Sequence, residues 1–426
     1  MTAATPAFAG IPIDFFLFAA ILAGVALFHH HTLRVALIGL ATITAYKLLF
    51  SPFHGIAGLP GLATLLRHEW VTVTNLFGLL LGFALLSKHF EESRLPAVLP
   101  RFLPDDWKGG FMMLVLVFLL SSFLDNIAAA MIGGTMAMVL YQGRLHIGFL
   151  AAIVAASNAG GSGSVVGDTT TTMMWIAGVS PGQVVDAYTA AVPALLFFGV
   201  VAARQQQAFQ PITKDAPAGV RIDGTRLGIV ACILVSAVAA NVYFNLRQPE
   251  VLDQLPVLGI AVWVAILVTS AVRQPDWSLL PSATRGSVFL LSLVLCASMM
   301  PVEALPAATW PTALGIGFVS AVFDNIPLTA LALHQGGYDW GFLAYAVGFG
   351  GSMIWFGSSA GVALASMFPQ ARSVGAWVRG GWHVAVGYLI GFSVMLAVLG
   401  WHPDEPRKRG AEPATMPAVE SPSAPR

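Results

Sequence analysis

Stretches of about 20 apolar residues, each long enough to cross a hydrocarbon core as a helix, recur from one end of this 426-residue chain to the other. That feature removes most folds. Backbone N–H and C=O groups in lipid must be satisfied by the chain itself, so only helices or a closed β-barrel can span. A barrel would read as short alternating segments, and the sequence holds none. Composition agrees: 57% of the residues are hydrophobic and 10% charged, against about 25% charged in a soluble domain. The fold class expected is an all-α polytopic membrane protein.

Within this apolar background, polar residues are gathered into two matched pairs of stretches. SSFLDNIAAAMIGG (121–134) is followed by SNAGGSGSVVGDTTTTMMW (157–175), and SAVFDNIPLTA (320–330) by GFGGSMIWFGSSAGVA (348–363). An offset of 199 carries Ser121, Asp125, Asn126 and Ile127 onto Ser320, Asp324, Asn325 and Ile326. An offset of 190 carries Gly160, Gly161, Ser162 and Gly167 onto Gly350, Gly351, Ser352 and Gly357. The chain is therefore read as two copies of one unit, each with polar breaks in apolar helices. That pattern points to a transporter site at a repeat interface.

Taken in order, spans are expected at 13–28, 33–50 and 71–87, with an interfacial loop at 51–70 and a surface arm at 88–108. The apolar stretch 110–141 is too long for one crossing, about 48 Å as a single helix against a core of about 30 Å. It reads as a re-entrant hairpin with its tip at Asp125-Asn126. A broken span at 149–178 and a span at 184–203 complete the first repeat, residues 1–203. Residues 204–226 form a polar cytoplasmic linker. The second repeat, 227–401, has spans at 227–245, 256–272 and 287–305, a hairpin at 310–337 with its tip at Asp324-Asn325, a broken span at 340–368 and a last span at 381–401. The tail 402–426 is rich in Pro, Ala and Glu and reads as disordered.

Five crossings plus a hairpin per unit make the two repeats inverted. With the N-terminus outside, fourteen Lys and Arg residues fall in inside loops and two, Arg67 and Arg247, in outside loops between spans, as the positive-inside rule requires. The exception is the tail, whose Arg407, Lys408, Arg409 and Arg426 lie on the outside in this layout.

Asp125 and Asp324 fall at mid-membrane depth, where an unpaired charge costs roughly 2.5–3.5 kcal/mol or more. Asp168 follows the first break and precedes Thr169–Thr172. Its counterpart in the second unit is Ser358, followed by Ser359. Three carboxylates, with amides, hydroxyls and the free carbonyls of broken helices, suit a small hard cation such as Na⁺. A carboxylate that holds either Na⁺ or H⁺ is sufficient for antiport. Asn126, Asn158, Asn325 and the Ser and Thr residues read as neutral ligands or supports. Gly160, Gly161, Gly167, Gly350, Gly351 and Gly357 permit unwound backbone or close helix approach. Asp and Asn at a helix break also serve as N-caps, and threonines bond their own backbone. The recurrence of the Asp-Asn pair at matching places favours a site.

Elsewhere the plainer readings hold. Asp14, Lys47, Glu69, Asp186, Glu303 and Asp339 read as snorkelling or capping groups near span ends. His29, His30 and His31 read as a solvated loop. Cys232 and Cys296 read as small core residues. The first apolar run has no basic residue before it and reads as a retained span rather than a signal peptide. Net charge is zero, so no nucleic acid partner is expected, only lipid and a small-molecule cargo. No nucleophile–base set or metal-binding cluster appears in the apolar runs, so a transporter is expected rather than an enzyme, with no cofactor beyond its transported ions. A citrate or other carboxylate carrier, coupled to Na⁺, H⁺ or a divalent metal, is the competing function. It fits less well, because the hairpin tips carry aspartates and neither motif pair contains Arg or Lys.

The strings LDN…SNAGGSGSVVGDTTTTMMWIAG and FDNIP…GGSMIWFGSSAGVAL resemble the paired signatures of NhaD-type sodium/proton antiporters, in the ion transporter superfamily, whose relatives include citrate and dicarboxylate carriers and arsenite pumps. The resemblance implies a homodimer in a bacterial inner membrane, with a scaffold and a mobile part that shifts like an elevator. It also implies exchange of Na⁺ or Li⁺ for H⁺ by the residues matching Asp125, Asn126, Asn158, Asp168, Thr169, Thr170, Asp324, Asn325, Ser352, Ser358 and Ser359, with Na⁺ at Asp125, Asp168 and Asp324.

Overall fold

The computed structural model describes residues 6–28, 31–53, 55–98, 102–213 and 221–404. Among them the only sheet is a two-stranded antiparallel ribbon, Ala7–Phe8 with Ile11–Pro12. Everything else regular is helical. The first half runs α1 (Ile13–Leu27), α2 (Thr32–Phe50), α3 (Gly58–Glu92), the short α4 (Leu95–Val98), α5 (Trp107–Ser121), α6 (Asn126–Leu140), α7 (Ile147–Ser162), α8 (Thr169–Ile176), the short α9 (Pro181–Val185) and α10 (Tyr188–Phe209). The second runs α11 (Gly224–Arg247), the short α12 (Pro249–Gln254), α13 (Val257–Ser270), α14 (Leu280–Ser298), α15 (Trp310–Ser320), α16 (Asn325–Gln335), α17 (Trp340–Gly350), α18 (Ser359–Met367), the short α19 (Val374–Gly380) and α20 (Trp382–Leu399). Among the described residues six helical segments are long and apolar enough to cross a membrane, and six shorter apolar helices accompany them.

Both expected hairpins and both expected breaks are present, and their packing follows one plan. In each half the first hairpin helix packs on the helix before the break, α5 on α7 and α15 on α17. Further contacts cross between halves. Hairpin helix α6 packs on α18, and α16 packs on α8. The long α3 packs on α11 and α13, while α14 packs on α2 and on α3. Helix α10 runs against α20 over the most extensive contact in the molecule. At the centre, α7 and α17 touch each other. All of Gly148–Ser162 and all of Trp340–Gly350 are buried. A helix that is apolar on every side belongs in a protein interior. These two are about 24 and 16 Å long at 1.5 Å per residue, too short to span.

Several boundaries differ from the sequence reading. Residues 51–70 are not mainly a loop: α3 begins at Gly58 and runs unbroken through Glu92. Pro60 and Gly61 sit in its first turn, where a proline removes no helical hydrogen bond. The 35-residue helix is about 52 Å long. The third span of the second half ends at Ser298 rather than 305, because Pro301 and a 3₁₀ turn at Val302–Ala304 follow. The linker 204–226 is helical at both ends, in α10 and α11. The tail begins docked: Asp404 accepts from Trp340 Nε1 (2.9 Å) and Gln183 Nε2 (2.7 Å), and His402 N donates to Asp339 (2.9 Å). The expected disorder falls on 405–426, outside the described residues, as do His29, His30, Arg101 and Lys214.

Candidate functional site

Each of the three aspartates begins a helix. Asp125 caps α6 and accepts from Ile127 N at 3.2 Å. Asp324 caps α16 and accepts from Ile326 N at 3.0 Å. Asp168 caps α8 and accepts from Thr170 N at 3.3 Å, and the neutral Ser358 caps α18, accepting from Gly361 N at 3.3 Å. The backbone repeats closely, with φ, ψ of −52°, 141° at Asp125 against −55°, 140° at Asp324, and −143°, 145° at Asp168 against −143°, 153° at Ser358. Helix N-termini carry partial positive charge, so a carboxylate is stabilised at each of these places. Capping and ion binding are thus not exclusive: capping uses one oxygen and leaves the other.

What the second oxygen does separates the three. Asp324 Oδ2 accepts from Ser359 Oγ at 3.4 Å. Asp125 is half-buried at its hairpin tip, as Asp324 is at its own. Asp168 is 3% exposed, and its Oδ2 has no hydrogen-bond partner among the described residues. Asp168 lies in electrostatic reach of both other carboxylates. Among the described residues no group of three or more His, Cys, Asp or Glu side chains is placed to hold a metal ion.

Asn158, fully buried near the end of α7, joins the halves. Its Oδ1 accepts from Asn126 Nδ2 at 3.1 Å, and its Nδ2 donates to Ser352 Oγ at 2.9 Å and to Ser358 Oγ at 3.0 Å. Four sequence-predicted residues therefore meet in one network. Asn325, the counterpart of Asn126, is 3% exposed with no partner for Nδ2. Of the threonines, Thr171 and Thr172 close the break by bonding Ser164 O, Val165 O and Asp168 O. Thr170 is fully buried with its side chain against the Asp168 carboxyl, and Thr169 is half-buried.

The six glycines serve close approach rather than unusual backbone, since none has positive φ. A Cβ on Gly160 would strike the Phe118 backbone of α5, and one on Gly350 the Gly317 backbone of α15. Gly167 and Gly357 abut the backbone of Ser121 and Ala321 in the same paired way. Gly161 and Gly351 abut Gly167 and Gly357 across their breaks, at 2.8 and 2.6 Å from the built Cβ. The sequence reading missed Ser122 and Tyr188, whose hydroxyls each donate to Gly160 O at 3.1 Å. A hydroxyl aimed at a helix-end carbonyl leaves no periodic signal.

Away from the breaks, Asp14 and Lys47 do not snorkel. They form a buried ion pair at 3.2 Å, 0% and 2% exposed, with Ser51 Oγ donating to the same carboxylate oxygen at 3.3 Å. Glu69 is buried in mid-helix with His334 at 3.8 Å. Asp339 caps α17 as expected.

Fold and site define the class: an all-α polytopic membrane protein whose N- and C-terminal halves meet at paired helix breaks. No family model matches the chain. It is similar to sodium/proton antiporter 1 of Arabidopsis thaliana, 28% identical over 340 residues that are 70% of this chain and 56% of that protein. It is similar to sodium/proton antiporter 2 of the same plant, 27% identical over 341 residues, 70% of this chain and 76% of the relative. It is also similar to the Na(+)/H(+) antiporter NhaD of Alkalimonas amylolytica, 26% identical over 358 residues, 69% of this chain and 68% of the relative. The chain thus matches little more than half the length of the first of these proteins. The resemblance to NhaD-type antiporters extends well beyond the motif stretches.

Proposed function

We propose that this chain is a secondary active transporter exchanging Na⁺, or Li⁺, for H⁺ across a bacterial inner membrane. The observation that carries the reading is Asp168: a carboxylate at a helix break, buried at the junction of the two halves, with one oxygen unengaged. In a low-dielectric interior such a group holds one positive charge at a time. Loading Na⁺ expels H⁺ and the reverse, which couples the two flows without a further device. The relatives named as sodium/proton antiporters support the same reading.

Asp125 and Asp324, half-buried at the hairpin tips, are proposed as the groups that pass cation and proton between Asp168 and water. Asn126, Asn158, Asn325, Thr169, Thr170, Ser352, Ser358 and Ser359 supply neutral ligands or hold the breaks. Alternating access is proposed as an elevator-like shift of α5–α10 with α15–α20 past α1–α3 with α11–α14, in a homodimer of inverted repeats. The contacts of α8 with α3 and of α16 with α14 form the sliding surface in that scheme. A carboxylate carrier is the second reading, because helix N-termini are paired at the breaks, those of α6 and α18 through Asn158 and α8 against α16, and such termini favour anions. Each is already capped by a side chain, three of them by a carboxylate, which favours a cation as cargo.

The test is Asp168→Asn, an isosteric change that keeps the cap. Purified variant in proteoliposomes should melt like the wild type and show no Na⁺-dependent proton release. Wild-type exchange by this variant would reduce Asp168 to a helix cap and remove the basis of the reading.

A further inference from the structure

The offset that relates the two breaks also pairs Asn158 with Gly348, Ser162 with Ser352 and Asp168 with Ser358. The contacts obey this pairing. In one half-site α6 meets α18, and the Asn158 amide reaches across to Ser352 and Ser358 while accepting from Asn126. In the other, α16 meets α8 and the equivalent position is Gly348. A Cβ built there would lie 3.2 Å from Ser162 Cβ and 3.5 Å from Asp168 Oδ2. Gly348 therefore faces Ser162 and Asp168, the counterparts of the Ser352 and Ser358 that Asn158 faces, without an amide to reach them.

The groups left over on the two sides differ accordingly. In the Asn158 half-site the amides and hydroxyls are mutually bonded, and the capping residue, Ser358, is neutral. In the Gly348 half-site the capping residue is an aspartate. There Asp168 Oδ2 and Asn325 Nδ2 are both buried with no hydrogen-bond partner among the described residues, and the Thr170 side chain lies against the Asp168 carboxyl. Buried polar groups without partners are rare and ask for an unseen one. Between the two equivalent capping positions the difference is one carboxylate, Asp168 against Ser358, and the missing side chain is one amide in size.

We infer that each chain binds one monovalent cation, on Asp168 in the half-site formed by α8, α16 and α17, and that Gly348 keeps this half-site open. Asn158 closes the related one. A neutral amide bridges a neutral hydroxyl on one side, and a cation balances a carboxylate on the other. Two related halves thus carry one ion instead of two. This rests on the reading of the chain as a Na⁺/H⁺ exchanger, and Gly348 sets how many cations it takes.

The experiment is equilibrium binding of radioactive Na⁺ to the purified full-length protein in detergent, with melting temperature recorded on the same samples. Wild type should bind one Na⁺ per chain. Gly348→Asn supplies the missing amide; it should stay folded and bind Na⁺ at least ~100-fold more weakly. Gly348→Ala adds only a methyl at the same point and should weaken binding by roughly tenfold. Should Gly348→Asn fail to fold, the alanine variant and the wild-type stoichiometry decide. Two Na⁺ per chain, or unchanged affinity in a folded Gly348 variant, overturns the inference and leaves the exchanger reading standing. Wild-type protein that binds neither Na⁺ nor Li⁺ overturns the exchanger reading itself.

Discussion

Asn158→Ala removes three hydrogen bonds at a fully buried point between the halves: one from Asn126 at 3.1 Å, and those to Ser352 and Ser358 at 2.9 and 3.0 Å. Side-chain hydrogen bonds within membrane proteins contribute about 0.6 kcal/mol on average and up to about 1.7, so three bonds amount to roughly 2–5 kcal/mol. A second route gives a similar figure. Ser358 Oγ still accepts from Gly361 N, so the groups stranded by the change are Asn126 Nδ2 and Ser352 Oγ. At about 1–3 kcal/mol for each buried group left unpaired, the loss is roughly 2–6 kcal/mol. The expected destabilisation is about 3 kcal/mol. It is measured by unfolding the full-length protein in mixed micelles with increasing SDS, following the fluorescence of its 11 tryptophans. Ser121→Ala is the control, because Ser121 Oγ is buried without a partner and its loss should be neutral or slightly stabilising. A change of less than about 0.5 kcal/mol in Asn158→Ala would refute the claim that this network ties the halves together.

Two further predictions concern stability. Lys47→Met should destabilise by about 3–5 kcal/mol, since it leaves Asp14 as an uncompensated buried charge, and adding Asp14→Asn should recover more than half of the loss; thermal melts of the single and double variants read both effects. Gly160→Ala and Gly350→Ala place a methyl against the backbone of the facing hairpin helix and should each destabilise by about 3 kcal/mol, whereas Gly315→Ala, which meets nothing within 4 Å, should be harmless; equal melting temperatures for all three would contradict the close packing of α5 on α7 and α15 on α17.

The hairpins and breaks were legible in the sequence because the physics that makes them also leaves residues behind. A helix that starts inside the membrane needs a capping oxygen, so Asp125 and Asp324 stand at one offset from each other. Helices whose backbones touch need glycine, so Gly160 and Gly350 stand at another. The apolar lengths placed the spans for the same reason. Residues 51–70 misled because Pro60, Arg67 and Glu69 look like loop chemistry. Pro60 in fact occupies a helix first turn and Glu69 a buried position near His334. The Asp14–Lys47 pair was hidden because periodicity describes faces, not partners 33 residues apart. The site was only half visible for a related reason. Offsets show which positions are equivalent, while the contacts that matter cross from one half to the other, as from Asn158 to Ser352 and Ser358. The exchanged packing of α6 on α18 and α16 on α8 lies in the fold alone.

Exchange of Na⁺ for H⁺ is tested most directly with wild-type protein in proteoliposomes that trap a pH-sensitive dye under an imposed pH gradient. NaCl, LiCl, KCl and citrate are added separately. Collapse of the gradient by Na⁺ or Li⁺, with none from KCl or citrate, is the result expected of a carboxylate that holds one cation or one proton. No response to any cation, together with uptake of labelled citrate, would contradict it and make the aspartates holders of a coupling ion in a carboxylate carrier.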